Sequence, residues 1–245
     1  MDRPHTPFKS AAPYSFSDGR VLASTQQQMV IDEVDGCVFQ DPAFVDTIFP
    51  LALIANGEEA ARERIRKFME ELENRGLLEP IQYDRPRWKE LVSLTKESDM
   101  LTPLVKILNA ITELCGSAGS IQWHDEHDKP PRSACHEKLR PDILAMLKHF
   151  SPVHWHNVLL PIEIKRRNRP EQALPQLITY ARNVLREQWD RRFTFGLIFA
   201  GKMFEVWLFD RSGAVGSPAF DFHKVRMNVV AVSTWLTQVS WPTGH

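Results

Sequence analysis

Residues 140–182 read RPDILAMLKHFSPVHWHNVLLPIEIKRRNRPEQALPQLITYAR. Two apolar runs, Asp142–Leu147 and Val158–Lys165, have the length and composition of strands, with Pro152 in the turn between them. Side chains alternate faces along a strand, so Glu163 and Lys165 share one face while Ile162 and Ile164 turn to a core. An antiparallel hairpin turning near 153–154 would set Asp142 opposite Lys165, with Glu163 as its diagonal neighbour. Two carboxylates and an ammonium then meet at one end of a sheet. Such hard oxygen donors suit Mg²⁺ or Mn²⁺ beside a phosphate, with the Ile164 carbonyl as a further ligand. A bound metal acidifies water, and a nearby lysine orients it.

Outward from this stretch, the periodicity predicts an amphipathic helix over 172–188 with Pro175 in its first turn. Strands follow over Phe193–Ala200 and Met203–Phe209, then a last helix near 225–238. Upstream, Thr102 as cap and Pro103 at the first helical position predict a helix ending at Gly116. A short strand is expected at 120–123 and a polar loop over 124–140. The order helix, strand, strand, strand, helix, strand, strand, helix implies a mixed sheet with helices packed on it. Residues 1–28, rich in Pro, Ser and Gln, read as a flexible arm. Residues 29–99 read as a helical region, with one helix over 58–75 capped by Asn56 and stopped by Gly76, and a shorter one near 86–96. Residues 100–245 form the α/β core.

The literal signature of the PD-(D/E)xK nuclease superfamily is present in Pro141-Asp142 and Glu163-x-Lys165. Gln176-x-x-x-Tyr180 resembles the QxxxY element of RecB-type and lambda-exonuclease-like members, and four-residue spacing puts both side chains on one helical face. The resemblance implies a restriction-endonuclease-like mixed β-sheet flanked by helices, preceded here by an N-terminal helical extension. It implies catalytic roles for Asp142, Glu163, Lys165, Gln176 and Tyr180, and metal binding by Asp142, Glu163 and Ile164. Members also carry an acidic residue on the first core helix. Glu113, the one carboxylate on the expected 103–115 helix, is the candidate.

Residues 30–240 also resemble the region that precedes the kinase lobe of fungal-type protein kinases. The Tyr180-Ala-Arg, Gln188-x-Asp190-Arg191-Arg192-Phe193 and Phe209-Asp210-Arg211-Ser212-Gly213 runs carry that match. Some fungal spore-killing proteins are similar in combining nuclease-like and kinase-like parts. The sequence holds no Gly-rich phosphate loop, HRD or DFG, so no kinase activity is expected of it. Either a kinase domain follows in a longer product or the chain is a kinase-less relative.

Composition narrows the partners. Thirty Lys+Arg against 31 Asp+Glu exclude a strongly basic coat protein, yet residues 165–192 hold eight basic residues against three acidic. Arg166, Arg167 and Arg169 follow the ExK strand directly and are placed to contact phosphates. Arg191 and Arg192 read as structural, pairing with Asp190 or Asp210. Three scattered cysteines, Cys37, Cys115 and Cys135, indicate neither a disulfide framework nor a zinc cluster. The His124-Asp-Glu-His-Asp128 loop reads as solvated rather than metal-binding. With neither a membrane span nor a signal peptide, an intracellular, nuclear or cytoplasmic, protein is expected. The expected function is metal-dependent hydrolysis of nucleic acid, DNA ahead of RNA. The competing expectation is an inactive nuclease-like module that binds nucleic acid or a protein partner, associated with a kinase or with a selfish, toxin-like protein.

Overall fold

The computed structural model describes residue 32 and residues 36–79, 87–91, 96–116, 121–133, 139–148 and 150–238. The arm expected over 1–28 lies outside them, as do parts of the expected 86–96 helix and 124–140 loop. Within the described part of 86–96 there is a single 3-10 turn, Lys89–Leu91.

The described residues form β1 (Val38–Gln40), α1 (Phe44–Ile48), α2 (Glu58–Asn74), α3 (Ser98–Leu114), β2 (Ile121–Asp125), β3 (Ile143–Leu147), β4 (Val158–Lys165), α4 (Leu174–Glu187), β5 (Phe193–Ala200), β6 (Met203–Asp210), β7 (Ala214–Gly216), β8 (Phe220–Asp221) and α5 (Arg226–Gln238). The strands make one eight-stranded sheet in the order β1-β7-β6-β5-β4-β3-β2, with β8 also on β6. β4 and β5 are parallel, as are β1 and β7; the other pairs are antiparallel. A parallel pair needs a crossover, which α4 supplies between β4 and β5. The architecture is therefore mixed α/β, with helices on both faces.

Alternation along β4 divides the core. Ile162 and Ile164 join Ile143, Leu197 and Phe199 on one face, under α2, α3 and α5. Leu144, Ile198 and Ala200 lie on the other, under Leu177, Ala181 and Val184 of α4. Gly196 lets α4 come this close: a Cβ there would stand 2.9 Å from the Leu177 side chain. The first of these cores runs from Phe44 to Leu236, so residues on both sides of position 100 share it.

Several local expectations shift. α3 starts at Ser98, not Thr102, and Pro103 sits inside the helix. Lys96 N donates to Asp99 Oδ2 at 2.9 Å, and Met100 and Leu101 are buried, so packing carries the helix one turn back past the local cap signal. α2 begins after Gly57, and the Asn56 side chain makes no cap. β3 and β4 pair with Ile143 opposite Ile162 and a register shift between Ala145 and Met146. Continued outward, that register sets Asp142 across from Glu163, not Lys165. The connection is no tight turn but ten residues, 148–157, ending in a 3-10 turn at Trp155–Asn157.

The Asp190 charge favours the charged form of Arg191, and backbone carbonyls take the guanidinium's hydrogen bonds. Its guanidinium donates to the carbonyls of Val158 (3.0 Å), Leu159 (2.6 Å) and Phe193 (2.8 Å), while Gln188 Nε2 donates to Val158 and Trp155. This clamp ties the end of α4 to the start of β4. Arg191→Ala would orphan buried carbonyls and is expected to cost about 3 kcal/mol in urea unfolding. A loss under about 1 kcal/mol would refute the clamp.

Candidate active site

At the C-terminal end of β4 the chain leaves the pairing with β3, and Asp142 caps the gap. Its Oδ2 accepts the Ile164 N–H at 2.7 Å. Within a β-residue the N–H and C=O point to the same side. The Ile164 carbonyl therefore also faces the Asp142 side, where β3 no longer pairs with it. Glu163, one residue back, projects onto the α4 face and is 1% exposed. Its Oε1 accepts from Lys165 Nζ at 2.5 Å, and its buried Oε2 has no hydrogen-bond partner.

Electrostatics follow from this crowding. Burial, then the neighbouring Asp142 charge, pushes the Glu163 carboxyl up to about 8, against the opposing pull of Lys165. Burial likewise raises Asp142, opposed by the Ile164 N–H and Lys165. Tyr180, on α4, donates its hydroxyl to the Arg140 carbonyl at 2.9 Å. Burial raises its ionisation too, followed by the charges of Glu163 and Asp142, while the Gln176 side chain acts the other way. Asp142, Glu163, Lys165, Gln176 and Tyr180 thus form one cluster.

Glu113 is not part of it. It lies in the last turn of α3, exposed, and pairs with Arg75 of the α2 terminus at 2.9 Å. The carboxylate that α3 brings near the site is Glu97, immediately before its first turn. Glu97 Oε1 accepts the Arg166 N–H at 3.2 Å, and its charge helps to raise Asp142. The expected start at Thr102 hid this residue. The apolar pair Met100-Leu101, continuing the helical stripe backward, was the signal that could have exposed it.

Arg166, Arg167 and Arg169 are exposed on the segment leaving β4. Residues 124–128 are not all loop as expected, since His124 and Asp125 end β2; the segment lies beside the site, because Glu126 N donates to the Asp142 carbonyl at 3.2 Å. His127 is held between Asp125 (2.5 Å) and Asp128 (3.0 Å), and the Asp125 hydrogen bond raises its pKa. Among the described residues, no three His, Cys, Asp or Glu side chains converge as a ready-made metal centre.

Residues 140–240 match a family model. Its description is fungal protein kinase. The match spans the part of the chain from β3 to α5, including the cluster above and the Gln188–Arg191 clamp. Searches of curated proteins and of solved structures return no match. The Tyr180–Arg182, Gln188–Phe193 and Phe209–Gly213 runs lie inside the matched residues, whereas the match does not reach residues 30–139, over which the resemblance was also expected.

Glu163 yields a pH prediction. In metal-free protein the native state holds its proton up to about pH 8, whereas an unfolded chain releases it near 4.5. Between those values the native state binds the extra proton, so stability falls as pH rises. Thermal melts in EDTA from about pH 5 to about pH 9 should show the wild type losing more stability than Glu163→Gln. Parallel pH profiles for the two proteins would refute it.

Proposed function

We propose that the chain is a metal-dependent nuclease of the PD-(D/E)xK type with a restriction-endonuclease-like core, hydrolysing phosphodiester bonds of nucleic acid, DNA ahead of RNA. The observation that carries this reading is the buried, unpartnered Glu163 Oε2 beside Asp142. Two hard carboxylates share a site with one ammonium, and a small divalent cation would neutralise the negative charge they carry when both are ionised, displacing the proton that Glu163 holds without it. The residues fit Mg²⁺ or Mn²⁺, with Asp142, Glu163 and the Ile164 carbonyl as its holders. The ion, when bound, would supply neutralisation of phosphate charge and an acidified water.

The chain's own groups do the rest. The Ile164 N–H fixes the Asp142 carboxylate in place. Lys165 Nζ, carried on the same strand face, is positioned to orient the attacking water and to donate to a phosphate oxygen. Hydrolysis forms one phosphorus–oxygen bond from that water and breaks the one to the leaving oxygen. Tyr180 and Gln176 wall the site from α4, and Arg166, Arg167 and Arg169 stand where flanking phosphates would pass.

A second reading, a nuclease-like module that binds nucleic acid or a protein partner without cutting, draws support from the lack of a three-ligand centre among the described residues. End-labelled DNA and RNA, single- and double-stranded, incubated with Mg²⁺, Mn²⁺ or EDTA, separate the two. The nuclease reading expects cleavage that EDTA abolishes and that Lys165→Ala and Glu163→Gln each reduce by about 100-fold or more. Activity undiminished in both variants, or a folded wild type that cuts nothing, would sink it, and the latter favours the binding module.

A further inference from the structure

The three arginines after β4 are not on a loose loop. Lys165 O accepts the Gly201 N–H at 2.7 Å, and Arg166 N is held by Glu97 at 3.2 Å. Asn168 Oδ1 accepts the Lys202 N–H at 2.8 Å. These bonds latch the segment to the β5–β6 turn. Gly201 has φ +60, and a Cβ there would meet Asn168 Oδ1 at 2.3 Å, so only glycine accommodates so close a latch. The turn sits just past Ala200, which pairs with Lys165. Lys202 is thereby brought to the same rim as Arg166, Arg167 and Arg169. It is exposed, and its Nζ stands 3.6 Å from Asp221 Oδ2, a separation that leaves the ammonium available to a second anion.

We propose that Lys202 is a fourth phosphate-binding cation of this rim, held in register with the arginines by the Asn168–Gly201 latch. The occupant is the sugar–phosphate backbone of the nucleic acid, so the proposal rests on the functional reading above. It does not require that the site cut. Each lysine or arginine that neutralises a phosphate releases a counterion, so affinity falls with salt in proportion to the contacts made. Asn168 is a positioning residue: it carries no charge and touches no phosphate, yet its loss should free Lys202 and the arginine segment together.

Fluorescence anisotropy with a labelled oligonucleotide in EDTA, across a KCl series, tests this. Lys202→Ala should flatten the slope of log K against log salt by about one and weaken binding roughly five- to tenfold near 0.1 M salt. Arg62→Ala, on the solvated face of α2, removes one positive charge elsewhere and should leave the slope unchanged. Asn168→Ala should flatten the slope at least as much as Lys202→Ala, with the double variant no worse than Asn168→Ala alone. Wild-type binding with a slope that Lys202→Ala leaves intact overturns the proposal but not the nuclease reading. No oligonucleotide binding by folded wild type even at low salt, in EDTA and with Ca²⁺ alike, overturns both.

Discussion

The Asp142 carboxylate takes the Ile164 N–H at 2.7 Å, beyond the last paired residues of β3 and β4. That bond satisfies a backbone donor that the sheet has abandoned, and it places one carboxylate against another. Glu163, buried on the α4 face, cannot escape the pairing, because its strand is covered on both sides. Lys165 compensates one charge only. The raised Glu163 and Asp142 ionisations and the orphan Oε2 descend from this geometry, and the proposed binding of a small hard cation rests on it.

The surrounding elements serve to hold it. α4 must lie flat on β4 and β5 to bring Tyr180 and Gln176 over the carboxylates, and Gly196 permits that approach. At its far end the Gln188–Arg191 clamp secures the same helix to the start of β4. At the near end, Glu97 from α3 and the Gly201–Lys202 turn brace the strand terminus that carries Lys165. The cluster is thus braced by α4, α3 and the β5–β6 turn, which are remote from one another in sequence, the kind of support a preorganised site requires.

Much of this was legible in residues 140–182. Alternation placed Ile162 and Ile164 in one core and Glu163 and Lys165 on the opposite face, and the i,i+4 spacing put Gln176 and Tyr180 on one side of α4. These follow from backbone periodicity, which is local. The hairpin register was not legible, since the shift at Ala145/Met146 and the ten-residue connection move Asp142 from Lys165 to Glu163. Glu97 escaped because Thr102-Pro103 is the stronger local start signal, while the burial of Met100 and Leu101 is a tertiary effect. β1, β7 and β8 have only two or three residues each, too few to show a period.

By itself the sequence determined the mixed α/β class, the order of its main elements, and which side chains share a strand or helix face. Those properties depend on residues a few positions apart. Only the tertiary structure decided which carboxylate α3 contributes, how Asp142 meets Ile164, and that Asn168 grips a turn thirty-four residues away. Those depend on where chain segments cross, which is set by packing and register rather than by any local pattern.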